Sequence, residues 1–210
     1  MTVDGRIARG ERTRTAVLDA AVALATEVGL EGLSLGQLAE TLGVSKSGLF
    51  AHWGSKQELQ LAAIERAREQ WQEHVIDPAR AGSRGVRRLW ALHESRLAFY
   101  ASGTLPGHCF FANAKFEYNA RSGPVYERIA QTHAEWMEYL EHLARRAIEL
   151  GELRADTDPA LLAYEVEAAG VSAVMQFRLL SPEVVHPMAA RVVLERLRGL
   201  STDPTLLPEA

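Results

Sequence analysis

The sequence predicts an all-α protein of about nine helices, and three observations support this fold class. Apolar residues recur at helical spacing along most of the 210 residues. Helix-start signatures, in which a capping residue precedes proline, occur at Asp158-Pro159 and Ser181-Pro182. No segment alternates apolar and polar residues between hairpin turns, as strands would. We expect a three-helix N-terminal domain followed by a larger helical domain.

The first predicted helix covers about residues 9–28 and follows a flexible arm at residues 1–9. Its apolar positions from Val17 to Val28 share one face, and Gly29 ends it.

Two short helices joined by a tight turn are predicted from Ser34 onwards. Ser34 with Gln37 has the spacing of a capping box. Gly43 follows the last apolar position, where a left-handed turn favours glycine. Val44 is expected to enter the core, and Ser45 is placed to cap the second helix.

Ala39, Gly43 and Leu49 have the spacing of a helix-turn-helix. The small residue lets the helices approach, the glycine makes the turn, and the leucine packs beneath the first helix. Ser55 with Glu58 repeats the capping box, so a third helix begins there. This pattern predicts DNA binding.

Six helices are predicted for the rest of the chain. They are a helix from Ser55 that ends at Asp77-Pro78, one from Val86 to Tyr100, a short buried one over His108–Tyr118, a long one from Pro124 to Leu150, and two at about 158–180 and 182–199.

Composition excludes several function classes. The net charge of −4 does not indicate a generally basic nucleic-acid binder, but Lys46 and Lys56 put local positive charge at the motif. Cys109 is the single cysteine, which excludes an intramolecular disulfide and an all-cysteine metal site. No apolar run reaches the roughly 18 residues of a membrane span, and the N-terminus has no secretory signal, so we expect a cytoplasmic protein.

Enzyme signatures are also missing from the sequence. The seven histidines show no HExxH or comparable metal spacing. There is no glycine-rich phosphate loop and no GxSxG elbow, and adjacent His108 and Cys109 are not a catalytic dyad by themselves. We expect no enzyme activity, no cofactor and no metal.

The string from Gly43 to Leu59 resembles the TetR/AcrR family of transcriptional regulators. The family pattern runs approximately Gly-Val-Ser-x-x-x-Leu-Tyr-x-His-Phe-x-Ser-Lys-x-x-Leu, and the match spans helix, turn, helix and the next cap without a gap. A weaker likeness, over Gly107–Glu117 with Gly123-Pro124, is to the Gly-Cys-Pro-Phe/Asn-Ala segment of one family branch.

The resemblance implies a division of the chain and a set of DNA contacts. Residues 1–54 would form the helix-turn-helix domain, residues 55–200 the effector-binding and dimerisation domain, and residues 201–210 a flexible tail. The residues implied at DNA are Thr13, Ser34, Leu35, Ser45, Lys46, Ser47, Gly48, Phe50, His52 and Lys56.

Each implied contact has a physical role. The second motif helix would enter the major groove. Lys56, at a helix N-terminus, would meet a phosphate. Gly36, Phe50 and Ala51 depart from the polar or larger residues common in the family, so direct base readout looks sparse. His52 could instead pack beneath Trp53.

The aromatic residues of the second domain are most simply core, because apolar residues at helical spacing usually are. In the family, however, this domain is typically hollow and binds an effector. The pocket candidates are Trp71, Trp90, His93, Tyr100, Phe110, Asn113, Phe116, His133, Trp136, Met137 and Phe177. Cys109 is expected to be a small buried residue, or a redox-sensing thiol if it is exposed.

Two helices, near 158–180 and 182–199, carry more apolar surface than one partner helix would cover. In the family such helices pair with their copies across a two-fold axis. The resulting hypothesis is a homodimeric repressor, released from a palindromic operator by a small, largely apolar effector. The alternatives are a helical carrier or enzyme with a vestigial motif, and a ligand-independent regulator or activator.

Overall fold

The computed structural model describes residues 3–50, 52–81, 84–177 and 179–209, with the backbone alone for residues 3–13 and for Phe50. These residues form nine α-helices when the continuous helix after Ser55 is counted once, as the sequence predicted, and a short 3-10 helix at Pro204–Leu206. The described ranges contain no strand, and their one isolated bridge pairs Leu153 with Ser201. The all-α prediction is therefore confirmed.

The first helix, α1 (Val3–Val28), begins earlier than predicted. It includes residues 3–9, where the sequence predicted a flexible arm, and the flexibility of this segment stays a prediction. The predicted end is confirmed, since Gly29 takes a φ of +83° directly after Val28.

The motif forms α2 (Leu35–Leu42) and α3 (Lys46–Phe50). Gly43 has a φ of +63°, and its N–H donates to the carbonyl of Glu40 at 3.2 Å, so the predicted left-handed turn is confirmed. The core position predicted for Val44 is wrong: this side chain is 46% exposed, because the turn directs it to solvent.

The fourth helix, α4, is continuous from Lys56 to Arg80. It consists of Lys56–Trp71, a π-helical turn at Gln72–Ile76, and Asp77–Arg80. The predicted end at Asp77-Pro78 is wrong. The N–H of Asp77 donates to the carbonyl of Gln72, and this wider hydrogen-bond register carries the helix past the proline.

The next three helices are α5 (Gly85–Ala101), α6 (Phe110–Tyr118) and α7 (Pro124–Glu149). Proline opens α7 as predicted, and Gly151 follows its end with a φ of +71°.

The last two helices are α8 (Pro159–Phe177) and α9 (Pro182–Leu200). The segment at 201–209, predicted as a flexible tail, makes contacts with the rest of the chain, and its flexibility stays a prediction. Leu207 is 5% exposed, and Nη1 of Arg198 donates to the carbonyls of Pro204 and Leu207 at 3.2 and 3.3 Å. The buried Leu207 and these hydrogen bonds from the half-buried Arg198 connect the segment to α9.

The chain divides into two compact units. The first comprises Met1–Gln70 and Thr104–Ala130, and the second Trp71–Gly103 and Gln131–Ala210. Each has its own apolar core, with Leu38, Leu59 and Ile64 fully buried in the first. The functional boundary near Ser55 stays a prediction. Among the described residues, no helix is both long and apolar enough to cross a bilayer.

Candidate nucleic-acid interface and effector site

The second motif helix, α3, presents polar residues on a buried apolar base. Ser45 caps it, since its Oγ accepts from the N–H of Gly48 at 3.2 Å. Ser45, Lys46, Ser47, Gly48 and His52 are all exposed, as a DNA-facing surface requires. Beneath them Leu49 and Trp53 are only 3% and 2% exposed, so packing fixes the orientation of this short helix.

The start of α2 lies beside the side chain of Lys46. Ser34 caps α2 by accepting from the N–H of Gln37 at 3.2 Å. The Nζ of Lys46 lies 3.8 Å from the position that a Cβ at Gly36 would take. A lysine ammonium thus lies near a helix N-terminus, an arrangement that favours phosphate. Leu35 is 5% exposed, so only its backbone can face DNA.

Trp53 organises the aromatic side of the motif. The guanidinium carbon of Arg14 lies 5.6 Å from the centre of the Trp53 ring, a cation–π distance. The His52 ring is tilted by 51° against Trp53, with 5.6 Å between ring centres, and remains exposed. The side chains of Thr13 and Phe50, and all of Ala51, lie outside the described residues.

Lys56 begins α4 directly after the cap at Ser55, whose Oγ accepts from the N–H of Glu58 at 3.1 Å. Its Nζ also forms an ion pair with Oε1 of Glu31 at 2.8 Å. Both side chains are close to half exposed. Sequence reasoning missed Glu31, because no local pattern links it to a residue 25 positions away.

The second unit contains an aromatic cluster around Trp71. Its ring centre lies 6.2, 6.0 and 5.3 Å from those of Phe99, Tyr100 and Trp136. Tyr100 continues the cluster to Phe177 at 6.5 Å, in an edge-on contact. Four predicted pocket residues, Trp71, Tyr100, Trp136 and Phe177, therefore lie together.

A set of buried polar side chains contacts this aromatic cluster through Trp136. The Nε1–H of Trp136 donates to Oε2 of Glu167 at 2.8 Å. The same oxygen accepts from Nη1 of Arg96 at 3.2 Å, and Arg96 is 1% exposed. The Arg96 guanidinium also donates to the carbonyl of Val166. Sequence reasoning did not single out Arg96 or Glu167, which lie 71 positions apart.

His93 belongs to the same set of buried polar side chains, and its imidazole is neutral. Its Nδ1 accepts from Nε of Arg96 at 3.2 Å, which leaves Nε2–H to donate to the carbonyl of Ala189 at 2.9 Å. Burial, followed by the nearby positive charge of Arg96, lowers the pKa of His93 well below its ordinary value.

The other residues predicted to line a pocket are divided between the two units. Phe110, Asn113 and Phe116 belong to the first unit, where the Asn113 amide donates to the carbonyl of Gly107 at 3.0 Å. Phe116 is 51% exposed. Trp90, His133 and Met137 lie half-buried in the second unit.

Cys109 has a local structural role. It is 3% exposed, and its Sγ accepts from the N–H of Ala112 at 3.5 Å to cap α6. A redox-sensing role was predicted only for an exposed thiol, and the Cys109 thiol is buried.

Both parts of the chain match models of one protein family. Residues 17–63 match the model for bacterial regulatory proteins of the tetR family, and residues 85–192 match that for the tetracyclin repressor-like C-terminal domain. The chain is also 22% identical over 160 residues to the HTH-type transcriptional regulator SrpR of Pseudomonas putida, covering 72% of this chain and 68% of SrpR.

Solved structures share the whole fold. A TetR transcriptional regulator from Chloroflexus aurantiacus J-10-FL is similar with a TM-score of 0.83 and 25% identity, over 92% of this chain and 98% of that one. AibR, solved with isovaleryl coenzyme A and operator DNA, is similar with a TM-score of 0.63 and 21% identity, over 84% and 95%.

Proposed function

The chain belongs to the TetR family of bacterial regulatory proteins, and we propose that it is a cytoplasmic, homodimeric repressor that leaves a palindromic operator when it binds an effector. The observation that carries the proposal is the exposed polar surface of α3 on its buried base of Leu49 and Trp53. A transcriptional regulator of this family needs no enzyme activity, and we propose none.

DNA contact is assigned to two kinds of residue. On α3, Lys46, Ser47 and His52 have the polar groups that can reach base edges or phosphates in the major groove. Ser34 and Leu35 at the start of α2, and Lys56 at the start of α4, would hold the phosphate backbone. Both lysines of this set, Lys46 and Lys56, would displace counterions from phosphates, so affinity is expected to depend on salt.

The homodimer is assigned to α8 and α9. Large apolar side chains remain exposed on them, including Tyr164 at 66% and Val192 at 61%. Both residues line a groove of about 650 Å³ between the two helices. Water contact with this much apolar surface is unfavourable, and pairing with the same surface of a second copy removes it. A two-fold axis would place two α3 helices about 34–36 Å apart, or a multiple of that spacing.

The effector site is assigned to the aromatic cluster around Trp71 and Trp136. Aromatic walls favour a largely apolar molecule. The Tyr139 hydroxyl is buried without a hydrogen-bond partner in the described part of the chain, and the Tyr139 ring centre lies 6.1 Å from that of Trp136. One polar group on the effector would satisfy this hydroxyl. AibR, which was solved with an acyl thioester and operator DNA, offers a precedent for both ligands on this fold.

Release of DNA would be a population shift. An effector that prefers a conformation with misaligned α3 helices lowers the population that fits adjacent grooves. Helix α4 is the proposed transmitter, because it carries Lys56 at one end and Trp71 in the effector cluster. Its π turn, directly after Trp71, marks a departure from regular helix at this point.

The test is a gel shift with DNA flanking the protein's own coding region, with a scrambled duplex as control. We expect retarded DNA at low protein concentration, and loss of retardation with one member of an apolar effector panel. Specific binding that no effector alters would favour a ligand-independent regulator. Absence of specific binding would favour a helical carrier with a vestigial motif.

A further inference from the structure

The lysine assigned to phosphate is already paired with an anion in this structure. Nζ of Lys56 lies 2.8 Å from Oε1 of Glu31, and the side chains are 44% and 41% exposed. Glu31 lies in the turn between α1 and α2. Ion pairs with this exposure are weak, so a DNA phosphate can displace the carboxylate. The pair is therefore exchangeable.

Helix α6 restrains Glu31 through both its side chain and its backbone. Oε2 of Glu31 accepts from the Tyr118 hydroxyl at 3.0 Å and from Nε2 of Gln60 at 3.3 Å. The Glu31 N–H donates to Oε1 of Glu117 at 2.8 Å. Glu117 also accepts the N–H of Leu30 at 2.7 Å, so α6 holds the turn at two successive residues.

The Glu31 carboxylate is negative where DNA would bind. The hydrogen bond from Lys56 is the main cause that lowers the pKa of Glu31, and those from Tyr118 and Gln60 lower it further. An ionised carboxylate beside Lys56 offsets part of its attraction for a phosphate. Lys56 can contact DNA fully only when it leaves Glu31.

We propose that Glu31 is a positioning residue that competes with operator phosphate for Lys56, and that α6 holds Glu31 in this competing position. The proposal rests on the phosphate role proposed for Lys56. Helix α6 lies within the residues 85–192 that match the family's C-terminal model, yet it belongs to the same compact unit as the motif. A segment of the C-terminal part thus controls the charge available to DNA.

The experiment measures the salt dependence of binding to a duplex that the wild-type protein selects from a random library. Glu31→Gln keeps the size of the side chain and its acceptor for Tyr118, but removes the charge. We expect the plot of log K against log salt to become steeper by about 0.9 per protomer, roughly a threefold effect per protomer between 50 and 200 mM salt. In a Lys56→Ala background, Glu31→Gln should leave the slope unchanged, and Arg121→Ala in the same background checks the second cation near Glu31, whose Nη1 lies 3.7 Å from Oε2 of Glu31.

Glu65→Gln is the matched control. Glu65 lies nine residues further along α4, about 13 Å by helical rise, and pairs with Arg128 and Arg68. The Glu65→Gln variant removes one negative charge from the same unit, as Glu31→Gln does, but leaves the surroundings of Lys56 unchanged. We expect an unchanged salt slope, with far-UV circular dichroism and thermal unfolding to verify that each variant is folded.

The outcomes separate this proposal from the function on which it rests. If no duplex is selected, or if adding Lys56→Ala to the Glu31→Gln variant leaves its slope unchanged, the DNA role of Lys56 fails. If Lys56→Ala flattens the slope but Glu31→Gln behaves as the wild type, binds more weakly, or matches Glu65→Gln, the competition is overturned. Tyr118→Phe should reduce the effect of Glu31→Gln, and an undiminished effect would overturn the part assigned to α6.

Discussion

Two ion pairs in this protein have similar distances and opposite surroundings. Lys56 and Glu31, at the DNA-binding motif, are 2.8 Å apart and close to half exposed. Arg96 and Glu167, in the second unit, are 3.2 Å apart, with side chains 1% and 13% exposed. Water can replace a partner in the first pair but not in the second. Exposure, more than distance, decides which pair can exchange partners and which must stay intact.

The largest expected effect comes from breaking the buried pair. Glu167→Ala leaves the Arg96 guanidinium buried without its carboxylate, which should lower the free energy of unfolding by about 3–5 kcal/mol. Chemical denaturation measures this change. The double variant Arg96→Met, Glu167→Leu should lose less than the single variant, because no unpaired charge remains. A loss below about 1 kcal/mol in Glu167→Ala would contradict the buried pairing.

Crowding the same pair should have the next largest effect. A Cβ at Gly170 would overlap the guanidinium of Arg96, which cannot move aside without leaving Glu167 and His93. Gly170→Ala should therefore cost about 1–3 kcal/mol in unfolding free energy. Gly199→Ala is the control, because nothing lies within 4 Å of its Cβ position. Equal stability of the two variants would show that Arg96 yields freely.

A pH dependence should arise from His93, which burial and the positive charge of Arg96 keep neutral. The folded pKa lies well below the ordinary value, so the unfolded chain binds a proton that the folded chain does not as pH falls below about 6.5. Stability is fully present above this pH and falls by up to about 1.4 kcal/mol per pH unit below it. His93→Gln, which retains a donor and an acceptor, should remove this component from unfolding curves at pH 7 to 5.

The smallest expected change in stability comes from the exposed pair. Lys56→Ala removes a 2.8 Å ion pair but should alter the free energy of unfolding by no more than about 1 kcal/mol. Thermal unfolding of this variant beside Glu167→Ala tests the comparison directly. Similar losses in the two variants would show that exposure does not separate these pairs.

Local patterns predicted most of the helix boundaries. The caps at Ser34, Ser45 and Ser55 were all correct, because a cap depends on residues only three positions apart. The errors came from the same local rules. Pro78 was expected to end α4, but the π-helical turn before it lets the helix continue to Arg80. Val44 was expected in the core, but it is exposed in the turn.

In the candidate DNA-binding site, too, the sequence predicted local features and missed contacts between distant residues. Exposure of Lys46, Ser47 and His52 agrees with the DNA-facing side that the resemblance to the family implied. The contacts of Lys56 with Glu31 and of Glu31 with Tyr118 could not be predicted, because these residues lie 25 and 87 positions apart. No periodicity records such contacts.

By itself, the sequence determined the all-α class, the helix-turn-helix and the likeness to a regulator family, because capping, turn chemistry and apolar spacing act over a few residues. Only the tertiary structure decided which charges are paired, that Arg96 and Glu167 are buried together, and that α6 restrains Glu31. These features depend on the packing of segments that are 25 to 87 residues apart, which local physical chemistry does not specify.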